Sequence, residues 1–254
     1  MLVTLDHDRI RELRLDRPPV NALNPALLLR LRVALEEARR DGCRGVVLSG
    51  SPGCFSGGLD IPELLRLGRA EMTATWGSLF ALLRALATSE IPVAAALTGH
   101  SPAGGTVLAI HADYRIMAEG PFRLGLNEVQ VGLPLPEVIF RTLQHVVGER
   151  QAERLAVGGL LVEPAEALRV GLVDEVVGVA DVIPRALAWM TELLSRPAAA
   201  MAGTRAMARR SLRQGFDALD PALIEDVVDQ WFSAETQAVM HALAERLGKR
   251  RPAG

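Results

Sequence analysis

Two short runs with unbroken apolar centres, Arg44–Ser49 (RGVVLS) and Pro92–Leu97 (PVAAAL), each drop directly into a glycine-dense loop that opens a helical pattern. This repeated unit constrains the fold more than any other feature. Apolar runs without alternation suit strands covered on both faces, and parallel strands need helices to carry the chain back. Leu2–Leu5 and Ile10–Leu15 flank the polar stretch Asp6-His7-Asp8-Arg9 and predict a hairpin. Asn24 is an N-cap before Pro25 for a helix through about Asp41, which Gly42 ends. Helical patterns follow over 61–67 and 70–89, with the loops Gly50–Gly58 and Gly99–Gly105 and a short helix at Thr106–His111. Further strands are expected at Tyr114–Met117, Phe122–Leu124 and Asp174–Val177, and helices at 137–147, 149–158 and 164–170. After Val179 only helix is expected, over 180–195, 197–213, 219–232 and 234–248. The alternation predicts an α/β fold with mostly parallel strands and an all-helical C-terminal region.

Charge usage removes several chemistries. The basic residues are 27 arginines and one lysine, Lys249, which stands in Gly-Lys-Arg-Arg. A P-loop needs its lysine within a glycine loop before a helix, and Schiff-base enzymes need one in a pocket, so neither fits. The net charge of −2 and scattered arginines argue against a nucleic-acid partner. Cys43 and Cys54 are too few for a disulfide scaffold and lack metal-ligand spacing, so reduced thiols and no metal are expected. The early charges at Asp6, Asp8 and Arg9 do not make a signal peptide, and no run reaches the roughly 18 apolar residues of a membrane span. A cytoplasmic protein without a membrane partner is expected.

The chemistry candidates are two strand-to-helix turns and one acid. The turns are Cys54-Phe55-Ser56-Gly57-Gly58-Leu59-Asp60 and Gly99-His100-Ser101-Pro102-Ala103-Gly104-Gly105. Small residues before a helix leave unpaired N–H groups that can bind an anion or a developing oxyanion; alternatively, the glycines only make tight turns. The second turn approaches the nucleophile elbow Gly-x-Ser-x-Gly, but the residue after Ser101 is Pro102, which has no N–H to donate to an oxyanion. His100 is a candidate site lining and His111 a packing residue. Glu128 lies among Leu126, Val129, Val131 and Leu133. In an apolar wall its pKa would rise into the range of a general base; otherwise it is an exposed loop residue.

Three segments together, FSGGLDI (Phe55–Ile61), GHSPAGGTVLAIHADYRIMA (Gly99–Ala118) and GLNEVQVGL (Gly125–Leu133), resemble the enoyl-CoA hydratase/isomerase family, which has the crotonase fold. Arg17–Asn24 (RPPVNALN) and Gly148–Val177 are similar to it as well, so the likeness runs through about residues 2–205. The resemblance implies a spiral of ββα units over residues 1–195 and a helical region, 196–254, for packing or oligomerisation as a homotrimer or dimer of trimers. It implies an acyl-CoA substrate whose thioester oxygen is held by the backbone N–H groups of Leu59 and Gly104, with Glu128 as the acid/base. The CoA ester would run past Val20, Ala22, Leu23, Ser56, Gly57, Gly58 and Asp60, beside Ala103 and Val107, with Lys249 reaching its phosphates. No cofactor beyond the CoA of the substrate is implied.

One departure is informative. Enoyl-CoA hydratases pair two glutamates, and the position of the first falls on Val107, which cannot orient a water. A single carboxylate suits transfer of a proton from C2 to C4. The segments also look closest to mitochondrial-type Δ3,Δ2-enoyl-CoA isomerases. Glu137 is a candidate additional acid or an ordinary first-turn acid favoured by the helix dipole. The competing readings are a hydratase, thioester hydrolase or decarboxylase using the same hole, and a non-catalytic binder of CoA esters.

Overall fold

The structure, a computed structural model, describes residues 1–220 and 222–249 of the chain. The N-terminal hairpin forms from β1 (Leu2–His7) and β2 (Ile10–Leu15), with Leu2 opposite Leu15 and His7 opposite Ile10. Helix α1 (Pro25–Arg40) starts where the Asn24 side chain accepts the Leu27 N–H at 2.9 Å. Strands β3 (Gly45–Ser49), β5 (Val93–Leu97), β7 (Tyr114–Ala118) and β9 (Glu175–Val177) extend the hairpin in parallel into a six-stranded sheet of order β1-β2-β3-β5-β7-β9.

The unbroken apolar strands follow from this position. Val46, Leu48, Val93, Ala95, Leu97 and Met117 face the main core, which α1 and α3 (Arg69–Thr88) share. The alternate residues Val47, Ala94, Ala96 and Ile116 face a second cluster under α8 (Val182–Leu194), with Val182, Ala186 and Met190. Gly45 belongs to this packing, since a Cβ there would sit 2.4 Å from the Met190 sulfur.

The expected loops Gly50–Gly58 and Gly99–Gly105 contain strands of a second sheet. It comprises β4 (Gly53–Cys54), β6 (Gly99–Pro102) and β8 (Leu124–Gly125), in the order β4-β6-β8 and all parallel. Gly99 makes the pairing possible, because a Cβ would lie 2.0 Å from the Gly53 carbonyl carbon. Each successive pair, β3β4, β5β6 and β7β8, thus adds one strand to each sheet before a helix carries the chain onward, which is a ββα spiral. Helices α2 (Ile61–Leu64) and α4 (Gly104–Ile110) begin at the ends of the short strands' turns. Then come a 3-10 turn at Glu128–Val131, α5 (Glu137–Val147), α6 (Glu149–Val157) and α7 (Pro164–Arg169).

The helix expected over 197–213 breaks at Arg209 into α9 (Ala198–Ala208) and α10 (Arg210–Asp217). The break serves a buried ion cluster. The Arg209 guanidinium donates to the His111 carbonyl at 2.6 Å and lies 3.2 Å from Asp113, which Arg205 grips through two bonds of 2.8 and 2.9 Å. Helices α11 (Ala222–Trp231) and α12 (Ala234–Lys249) fold back over the spiral, placing Val228, Trp231 and Met240 in its main core. Arg250, Arg251 and the Lys249 side chain lie outside the described residues. Among the described residues no helix is long and apolar enough to cross a membrane, and no cluster of His, Cys, Asp or Glu could hold a metal ion.

Candidate active site

The first turn is held by the loop before α1. Asn21, buried and at φ +51°, donates its amide to the carbonyls of Cys54 and Phe55, both at 3.1 Å, and accepts the Arg17 N–H at 2.8 Å. Ser56 is fully buried, donating to the Asn21 carbonyl at 2.9 Å and accepting the Gly58 N–H at 3.2 Å. Gly57 N–H donates to the Val20 carbonyl at 2.7 Å, and Val20 itself is 44% exposed. Asp60 caps α2 by accepting the Glu63 N–H at 3.0 Å and pairs with Arg17 at 2.6 Å, so its carboxylate is spent on structure.

Leu59 runs parallel to Leu23. The bonds Leu23 N–H to Gly58 carbonyl (2.7 Å) and Asp60 N–H to Leu23 carbonyl (2.9 Å) complete that pairing and leave the Leu59 N–H out of it. Gly104 opens α4, so its N–H has no acceptor within the helix. The two turns press together: a Cβ on Gly104 would lie 3.4 Å from the Gly58 carbonyl carbon, and one on Gly58, at φ +87°, would lie 3.3 Å from the Gly104 nitrogen. The free N–H groups of Leu59 and Gly104 therefore belong to neighbouring backbone. Ala103 takes the sharp bend between them at φ +47°, a conformation that non-glycine residues rarely adopt.

Glu128 starts the 3-10 turn three residues beyond β8. Its Oε2 is sealed from solvent and has no hydrogen-bond partner among the described residues, although the residue as a whole keeps some surface. Burial pushes its pKa up to about 7. The neighbouring Asn127 Oδ1 is buried and unpartnered as well. Val107, one turn into α4, is buried, and its carbonyl accepts the His111 Nδ1–H at 2.7 Å. His111 is fully enclosed and held neutral by burial, with its pKa down to about 4.

Several sequence candidates stand elsewhere. Glu137 lies on the exposed first turn of α5, its carboxylate taken by Arg141, and is not gathered with Glu128. His100 is exposed, accepting the Arg123 N–H at 3.1 Å and meeting Phe122 edge-on. Ser101 is buried and its hydroxyl lies 3.3 Å from the Gly99 carbonyl. Ala22 lends its carbonyl to Arg17 at 3.1 Å.

The C-terminal helices complete the surroundings. Helix α12 packs against both α2 and the Glu128 turn. Thr236 donates its hydroxyl to the Gly132 carbonyl at 2.7 Å and Gln230 its amide at 3.2 Å, fixing the end of that turn. Sequence reasoning did not single out Asn21, Arg17, Thr106 or Thr236. Polar residues in apolar runs were the available signal for Thr106, whereas Thr236 was legible only as one more helical residue.

The comparisons with known proteins agree with this architecture. The family model described as Enoyl-CoA hydratase/isomerase matches residues 6–248. The chain is 39% identical over 202 residues, 78% of its length and 67% of the relative's, to the human protein named Enoyl-CoA delta isomerase 1, mitochondrial. A crystal structure of human mitochondrial delta3-delta2-enoyl-CoA isomerase superposes with a TM-score of 0.93 at 33% identity, covering 98% of this chain and 99% of that one. An enoyl-CoA hydratase, EchA3, from Mycobacterium ulcerans Agy99 has a TM-score of 0.81 at 26% identity, covering 91% and 99%. With the model match spanning nearly the whole chain and both glycine turns inside it, this protein belongs to the enoyl-CoA hydratase/isomerase family.

Proposed function

We propose that this protein is a Δ3,Δ2-enoyl-CoA isomerase that moves a carbon–carbon double bond in an unsaturated acyl-CoA with one carboxylate. The observation that carries the reading is the sealed, unpartnered Oε2 of Glu128 in a site where the second acid position is the buried, apolar Val107. The thioester oxygen accepts the N–H groups of Leu59 and Gly104. Glu128 as carboxylate takes a proton from C2 of the 3-enoyl chain, and the electron pair spreads into a dienolate whose charge falls on the thioester oxygen. The same carboxyl then delivers the proton to C4, leaving the double bond between C2 and C3 and Glu128 ionised again. Two aimed donors in a dry site lower the barrier, each by roughly 3 kcal/mol. A pKa near 7 suits a base that must also return the proton.

The CoA moiety passes over exposed Val20 and Gly57, while buried Leu23 and Ser56 act through the backbone they hold. Gly58, Asp60 and Ala103 shape the hole. No cofactor takes part beyond the CoA of the substrate. Assembly as a homotrimer or dimer of trimers is part of the proposal and is tested by light scattering.

The deciding experiment follows a 3-enoyl-CoA by the absorbance of the conjugated product, and crotonyl-CoA by mass. Wild type produces the 2-enoyl ester without gain of water, and Glu128→Gln is inactive yet still binds CoA ester. Near-normal turnover by Glu128→Gln, or crotonyl-CoA gaining the mass of water at a comparable rate, overturns the assignment.

A further inference from the structure

The strand that leads to Glu128, β8, and the second turn are joined through both backbone polar groups of Gly125. Its carbonyl accepts the Ala103 N–H at 2.8 Å, and its N–H donates to the Thr106 hydroxyl oxygen at 2.7 Å. The same hydroxyl donates its own proton to the Ser101 carbonyl at 2.5 Å. Thr106 is fully buried, so no water substitutes for either bond. The hydroxyl therefore uses its donor and an acceptor site at once, two residues from Gly104 and across from the strand that leads to Glu128 three residues later.

Gly125 could not be placed by side-chain packing instead. Its φ is +145°, and a Cβ would lie 2.1 Å from the Leu160 carbonyl oxygen, so the position is glycine and is located only by what its backbone bonds to. On the other side, Ala103 sits in a strained bend at φ +47°, ψ −117° that must be over-determined by its surroundings. The bond from the Ala103 N–H to the Gly125 carbonyl and the bond from the Gly125 N–H to the Thr106 hydroxyl supply that determination.

We propose that Thr106 is a positioning residue whose hydroxyl sets the spacing between the Gly104 N–H and the Glu128 carboxyl. This rests on the isomerase reading above. Binding the thioester and transferring its proton require both groups to meet one substrate. A misplacement on the order of 1 Å costs about 100-fold in rate while leaving the rest of the CoA contacts intact. Ordinary fold support would instead be lost as stability, with no preference for the chemical step.

The test compares Thr106→Val, which keeps the shape and removes the hydroxyl, with Thr106→Ser, which keeps the hydroxyl. Val182→Ala, in the cluster on the far face of the large sheet, serves as a stability control. Expected for Thr106→Val is a fall in kcat of at least tenfold with KM within about threefold. Expected for Thr106→Ser is near-wild-type kcat, and for Val182→Ala a lowered Tm with normal kcat. Relaxed packing at Glu128 also moves the acidic limb of the kcat–pH profile of Thr106→Val to lower pH. Should Thr106→Val not fold, Thr106→Ala is measured by the same criteria. The proposal is overturned if kcat of the hydroxyl-less variant stays within twofold, or if Thr106→Ser loses as much as Thr106→Val. It is also overturned if the kcat loss merely tracks Tm as calibrated by Val182→Ala. Full activity of Glu128→Gln would overturn the isomerase reading instead, whatever the threonine variants do.

Discussion

Replacing Glu128 by Gln is expected to stabilise the protein at alkaline pH while abolishing isomerisation. The magnitude follows from the carboxyl's surroundings. In the unfolded chain Glu128 titrates near 4.5, whereas burial without a partner raises it to about 7 in the folded protein. Between those values the folded state holds a proton that the unfolded state has released. Stability therefore falls as pH rises through this window, and it is fully present only below the unfolded pKa. At about 1.36 kcal/mol per pH unit, the ionised carboxylate costs about 3 kcal/mol once pH exceeds 7. Gln carries no charge and escapes that cost. For a chain of this size the gain corresponds to a Tm increase of roughly 6–10 °C at pH 8, shrinking toward zero near pH 5. Differential scanning calorimetry of both proteins at pH 5, 6.5 and 8 measures it. Equal Tm differences at pH 5 and pH 8, or a larger one at pH 5, would refute the claim that Glu128 is an unpaired buried acid. Activity provides the companion check: kcat/KM of the wild type should drop tenfold per pH unit below about pH 7.

Three further substitutions probe the frame. Gly105→Ala places a Cβ 2.7 Å from the Ser56 carbonyl oxygen and must part the two turns; kcat should fall about 100-fold or more, as for a lost oxyanion donor, with the circular dichroism spectrum retained. Asn21→Ala strands the Cys54 and Phe55 carbonyls and forces alanine to φ +51°, so urea unfolding should show a loss of about 2–4 kcal/mol and KM for the CoA ester should rise; an unchanged midpoint would disprove the clamp. Asp113→Ala leaves Arg205 and Arg209 buried without their carboxylate and should cost about 3–5 kcal/mol, read by the same unfolding experiment, whereas a cost under about 1 kcal/mol would mean the arginines are satisfied by carbonyls alone.

The large sheet was legible because its signal is local. The runs Gly45–Leu48, within Arg44–Ser49, and Pro92–Leu97 are apolar without a break, and the structure distributes their alternate residues between two apolar clusters. Caps were legible for the same reason: Asn24 and Pro25 announce α1, and the Asn24 side chain performs the capping. The second sheet was not legible. Its strands are as short as two residues, Gly53–Cys54 and Leu124–Gly125, and glycine-rich dipeptides carry no periodicity to read. Only backbone pairing across more than forty residues of chain, Gly53 with Gly99, makes them strands.

The candidate site divides in the same way. The residue types fixed the chemistry on offer: two glycine turns with free N–H groups, one acid among apolar neighbours, and valine where a second acid would stand. Whether that acid was buried or exposed stayed open in the sequence, since Asn127-Glu128-Val129-Gln130 can lie either way. Tertiary structure decided it, because packing around the turn seals one carboxylate oxygen while Val129 remains exposed. It likewise decided that Glu137 pairs with Arg141 at the surface and that Asp60 is absorbed by Arg17 and a helix cap. Propensity and pattern are written in neighbouring residues. The charge state of a carboxyl is set by how much water and which partners reach it, and these are supplied by segments far away in the chain.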